Sequence, residues 1–159
     1  MGAINNAFNQ AAGAVAGAAL AYKHAQETEF SKMNAADNSA LAARNQARVA
    51  TAEADEAFNE AYKDGGLIQQ LDTAKGVEEE AKEAYERAAK RKNGSRVTRL
   101  QKMSDLVAAR MAADTLRDKY KAFEDLQDRA DEQREYAAKA TKMALDEKTK
   151  YEKHWGGIK

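Results

Sequence analysis

Seven cations stand in a stretch that contains no acid: Arg87, Lys90, Arg91, Lys92, Arg96, Arg99 and Lys102. The chain around them is balanced, with 26 basic and 26 acidic residues and a formal net charge of zero. Residues 64–86, just before the cluster, hold 7 acids against 2 bases. Clustered Lys and Arg neutralise phosphates and release their counterions, which gives salt-dependent binding without sequence recognition. The cluster is therefore a candidate contact for nucleic acid or lipid headgroups. No aromatic residue is interleaved to stack on bases. A purely structural role competes with this: cations complement the dipole at a helix C-terminus, and they can pair with Glu78–Glu86 or with a neighbouring subunit.

The other reactive residue types form no constellation. His24 and His154 lie at opposite ends of the chain, and neither has metal-ligand spacing with carboxylates. Acid pairs such as Glu124-Asp125 and Asp131-Glu132 read as solvated helix faces, and Glu-x-x-His does not occur. There is no Gly-rich phosphate loop, no nucleophile elbow and no His-Glu-x-x-His. The chain has no cysteine, so it has neither a disulfide framework nor thiolate chemistry. The expectation is a protein that is not an enzyme and uses no cofactor or metal.

The second feature is an absence of charge. Residues 1–22, MGAINNAFNQAAGAVAGAALAY, carry none, although a third of the whole chain is charged. Gly13, Gly17, Ala21 and Ala25 recur every four residues, a spacing that lets two helix backbones approach closely. The large apolar residues are Ile4, Phe8, Val15 and Leu20, interspersed with Asn5, Asn6, Asn9 and Gln10. As a helix the arm would reach about 33 Å, close to a bilayer core, but the amides are poor material for a span. No Lys or Arg precedes the apolar run, as a secretory signal would require. Asn6 stands where a myristoylated Met-Gly terminus wants Ser or Thr. Three readings stay open: packing against partner helices, entry into a membrane, and a cleaved or lipidated leader. At the other end Trp155, the single tryptophan, is a candidate anchor at a membrane interface or in a partner's pocket, with plain packing as the alternative.

Long helices must position these features. Proline is absent, aromatics are 7% and alanine is abundant, the profile of long helices or coiled coil. Mean hydropathy is −0.80, a value shared with disordered chains, but balanced charge and periodic apolar positions argue against disorder. A first helix runs to about Lys63, either as one very long helix or as two collinear ones with a break at Asn34–Ser39, where Ser39 could cap a restart. Asp64-Gly65-Gly66 stops it. A second stripe follows through Leu67, Ile68, Leu71, Ala74, Val77, Ala81, Tyr85 and Ala88, with a kink or restart at Gly76. Asn93-Gly94 makes a turn and Ser95 reads as the next N-cap. The third helix shows Met103, Leu106, Ala109, Ala113, Leu116, Tyr120, Phe123, Leu126, Ala130, Gln133, Ala137, Ala140 and Ala144 in steps of three and four, a coiled-coil-like seam with stutters. The second helix is much shorter than the third, so part of the third must pack on the first or on other copies.

The fold expected is all-α: elongated long helices with a helical hairpin and coiled-coil-like packing. Its parts are an arm over 1–22, a long helix over 23–63, a hairpin over 67–154 turning at 93–95, and a tail over 155–159. An Ala/Gly arm (AAGAVAGAALAY), then HAQETEF, then alanine-rich helix such as Ala42–Arg48, resembles in layout the bacteriophage proteins ejected with the genome. The nearest types are the DNA pilot proteins of microviruses and the smaller internal virion proteins of short-tailed phages. The resemblance covers about the first third of the chain. It implies a homo-oligomer built through the long helices beside other virion proteins, with the arm at the host membrane and DNA passing without sequence recognition. It places the protein in the virion, at the host envelope on ejection and in the host cytoplasm during assembly. Two other classes compete: a coiled-coil structural adaptor of a virion or secretion complex with no membrane or DNA role, and a desiccation-type amphipathic helical protein, whose usual eleven-residue repeats are not found.

Overall fold

The computed structural model describes residues 2–91 and 93–156; Met1, Lys92 and the last three residues lie outside the described residues. Three helices make up the fold: α1 (Gly2–Tyr62), α2 (Leu67–Lys90) and α3 (Arg96–Trp155). No strand occurs among the described residues, and the protein is all-α.

α1 does not break at Asn34–Ser39; it is continuous from Gly2 to Tyr62. Of the two expected forms, one very long helix or two collinear ones, the chain takes the first. The propensity penalties of Asn, Asp and Ser are only tenths of a kcal/mol each, and Asn34, Asp37, Asn38 and Ser39 all point to solvent. Met33, Ala36 and Ala40, on the same turns, are buried or half-buried, so packing holds the helix through the polar stretch. α2 likewise runs uninterrupted through Gly76, so the helix does not restart there.

The chain forms two compact units. In the first, residues 1–47 of the N-terminal segment are grouped with 133–159. Here α1 and α3 run antiparallel: Tyr22 meets Trp155, Phe30 meets Tyr151, and Ala43 and Ala47 cluster with Ala137 and Ala140.

The second unit is residues 48–132. Ala50 and Ala54 of α1 cluster with Ala130 of α3. Beside them Phe58 and Tyr62 stack at 4.5 Å between centroids and lean on Phe123, which also contacts Tyr120. A hydrogen bond to the Glu124 carboxylate pushes the Tyr120 hydroxyl above its ordinary pKa. The α2–α3 hairpin buries Leu71 and Ala88 on one arm and Leu106, Ala109 and Ala113 on the other. Arg117 bridges its arms, bonding Glu78 at 2.9 Å and Asp114 at 2.8 Å. Those bonds, Asp114 first, hold the guanidinium charge more firmly than usual. The third helix therefore does pack on the first, as the mismatch in helix lengths requires.

The α1 seam is made of alanine. Residues 33, 40, 47, 54 and 61 and residues 36, 43, 50 and 57 are buried or half-buried, and all but Met33 are alanine. The larger Leu41 and Val49 face solvent. On α3, residues 109, 116, 123, 130, 137, 144 and 151 are buried or half-buried at strict sevens. The companion line runs 106, 113, 120 and 127 and then shifts to 126, 133, 140 and 147, so the seam is heptad-like with one irregularity near 120–127, in keeping with the expected stutters. Met103 is off it, 49% exposed, and half-buried Lys102 holds the register instead. Gln127, Thr141 and Glu147 also occupy seam places, so a reading of apolar letters alone loses the phase. On α2, Val77 is exposed and the half-buried residue is Glu78.

The Asp64-Gly65-Gly66 turn needs both glycines. Gly65 has φ +72°, which side-chain-bearing residues avoid. A Cβ on Gly66 would stand 2.5 Å from the Glu60 carbonyl oxygen and 2.7 Å from that of Ala61. Gln69 Oε1 accepts from the Gly65 N–H at 2.8 Å, and Gln70 Nε2 donates to the Gly65 carbonyl at 2.8 Å.

Candidate nucleic-acid interface at the hairpin tip

The tip is built by two helix ends. α2 stops at Lys90, and Arg91 is extended. Gly94 N–H reaches back to the Arg91 carbonyl at 3.4 Å. Ser95 then caps α3: its Oγ accepts from the Val97 N–H at 3.2 Å, and its carbonyl accepts from Arg99 N–H at 3.1 Å. This satisfies one of the orphan donors at the start of the helix.

This fold places Arg87, Arg91, Arg99 and Lys102 around one open hollow of about 540 Å³, with Asn93 and Ser95 on its wall. Arg96 and Lys90 do not line it, and Lys92 lies outside the described residues. The amide of Asn93 and the hydroxyl of Ser95, which turn chemistry alone places at the tip, join the charges there.

The structural explanation of the cluster accounts for only part of it. Arg87 and Lys90 sit in the last turn of α2, where the dipole favours cations. Arg96 and Arg99 sit in the first turn of α3, where it does not. Among the described residues, none of the six cations forms an ion pair with a carboxylate. Of the acids Glu78–Glu86 expected to serve them, Glu78 bonds Arg117 instead. The tip is a set of cations held at two helix ends without a carboxylate partner, all exposed but the half-buried Lys102, an arrangement suited to a polyanion.

The arm is bare. All its residues from Gly2 to Ala25 are exposed, with Ile4 at 77%, Phe8 at 74%, Val15 at 70% and Leu20 at 69%. Positions where a Cβ would stand on Gly13 and Gly17 have nothing within 4 Å, and Ala21 and Ala25 are exposed, so among the described residues this face is open. Among the described residues no helix is long and apolar enough to cross a membrane.

Trp155 is not an exposed anchor; it is 4% exposed. Its ring meets Tyr22 edge-on at 4.7 Å and its indole N–H donates to the Glu29 carboxylate. The anchor expectation is corrected: α3 ends by folding its one tryptophan onto α1. Among the described residues no group of three or more His, Asp or Glu is placed to hold a metal ion. Comparison with protein-family models, curated proteins and solved structures finds no match for the chain.

Proposed function

We propose that the chain is a non-catalytic structural protein of a phage-type virion that takes part in moving DNA across a host envelope. It assembles through its long helices with copies of itself and other virion proteins. Its α2–α3 tip touches DNA phosphates without reading sequence, and its arm meets other subunits or the host membrane. The observation that carries this reading is the tip, where six described cations from 87 to 102 stand without a carboxylate partner. The second reading, a structural adaptor with no DNA or membrane role, draws on the arm, whose apolar positions continue the spacing of a protein-packing stripe.

Titration of the protein into labelled duplex DNA of random sequence, at several salt concentrations, tests the reading. Binding should weaken steeply with salt. Replacing Arg91, Arg96, Arg99 and Lys102 with Gln should flatten the logarithmic slope by roughly 3 to 4, at about 0.9 per phosphate contact. No binding at low salt, or an unchanged slope, leaves the adaptor reading. Vesicle leakage that disappears when residues 1–22 are deleted would place the arm at a membrane.

A further inference from the structure

The packed stripe of α1 does not stop where its cover stops. The heptad positions 33, 40 and 47 extend backwards through Gln26 to Ala19 and Ala12. Positions 36 and 43 extend backwards through Glu29 to Tyr22, Val15 and Phe8. Phe8, Ala12, Val15, Ala19 and Tyr22 thus stand in phase with the alanines that meet α3. α3 ends at Trp155, against Tyr22. Before that point the stripe is a shallow apolar hollow of about 440 Å³ lined by Phe8, Ala11, Ala12, Val15, Ala16 and Ala19. An interface established inside the chain continues for about three further turns of helix with one side missing.

We infer that the missing side is the arm of a second copy, running antiparallel. The charge pattern selects the occupant. The arm has no charged residue over 22 positions, whereas α2, α3 and most of the rest of α1 are densely charged. An uncharged face is served by another uncharged face, since a buried charge without a partner is heavily penalised. The cover of the stripe selects the direction. A parallel partner's α1 would continue past Tyr22 into the place that α3 already holds; in an antiparallel pair each copy's α1 runs on past its own Tyr22 away from the other copy's α3. A two-fold pair of this kind makes the same residues serve both sides. This inference rests on the assembly half of the function proposed above and is independent of DNA.

The test is the mass of the full chain by sedimentation equilibrium. A dimer is expected, and Phe8→Glu with Val15→Glu should raise its dissociation constant by about a hundredfold or more, because like charges are brought together. Asn6→Glu with Gln10→Glu, off the stripe, should leave it much nearer the starting value. Circular dichroism checks that the variants stay helical. Single cysteines at Phe8, Ala12, Val15 and Ala19 resolve direction: self-cross-linking confined to one region of the arm fits an antiparallel pair. Cross-linking at all four positions overturns the antiparallel geometry. A monomer that binds phosphatidylcholine–phosphatidylglycerol vesicles through the arm, or a dimer indifferent to Phe8→Glu with Val15→Glu, overturns the inference. DNA titration of the same variants keeps the two proposals separate, since the tip is unaltered in all of them.

Discussion

Gln127 on α3 donates a hydrogen bond from its side-chain amide to the main-chain carbonyl of Ala54 on α1, at 2.8 Å. A side chain reaches another helix's backbone only where the facing residues are small. Ala50 and Ala54 against Ala130 supply that closeness. The carbonyl has a second lone pair available beyond its helical bond, so the contact adds to the helix rather than competing with it. Ala54→Leu should therefore destabilise the protein by about 1–3 kcal/mol through overpacking at a site only 2% exposed. Gln127→Ala should lose about 1 kcal/mol. Urea unfolding of both variants checks the order; a neutral Ala54→Leu would mean that the helices are not closely apposed.

How much of this was legible beforehand depends on how local each signal was. Ser95 was readable as a cap because its type and its place before the helix suffice, and the Val97 N–H bond agrees. Gly65 was readable for the same reason. The alanine seam was not, because Ala35, Ala42 and Ala52 are exposed while Ala36, Ala43 and Ala54 are buried or half-buried. One letter occupies both faces of α1, so hydrophobicity cannot mark the inner one. Trp155 was left between anchor and packing because its partners Tyr22 and Glu29 are more than 120 residues away. The tip cations could be found from charge alone, but their lack of carboxylate partners could not, since that depends on where each side chain of the Glu78–Glu86 block points in the folded hairpin.

Three glycines should answer differently to the same change. Gly76 lies inside α2 with open space around it, so Gly76→Ala should stabilise by about 0.5–1 kcal/mol. Gly65→Ala should destabilise by about 1 kcal/mol or more, from its left-handed φ. Gly66→Ala should be the worst of the three, because the added methyl meets the backbone carbonyls of Glu60, Ala61 and Lys63, which cannot swing aside as a side chain would. Thermal melts of the three variants should rank them in that order.

Gln133 occupies a seam position on α3, and its side-chain carbonyl oxygen is buried without a hydrogen-bond partner. Such a group loses its hydration and regains nothing. Gln133→Met, of similar length and without the amide, should raise stability by about 1 kcal/mol. A fall in melting temperature would show that the amide finds a partner in solution.

Trp155 closes the first unit, and being the only tryptophan it reports on itself. Its burial against Tyr22 and its bond to Glu29 predict emission shifted to short wavelength and weak quenching by iodide. Glu29→Ala should leave the indole N–H unpaired and destabilise the unit by about 1–3 kcal/mol, since the bond is to a charged acceptor. Trp155→Ala should be more damaging, by about 3–5 kcal/mol, and should fray the end of α3 before the rest melts. Hydrogen exchange separates this local effect from global unfolding: amides of 145–155 should lose protection in Trp155→Ala while those of 106–130 keep theirs. If wild-type Trp155 is instead quenched as freely as a solvated indole, α3 does not end on α1. The packed stripe would then stop earlier, and the uncovered part of α1 would be longer than the arm.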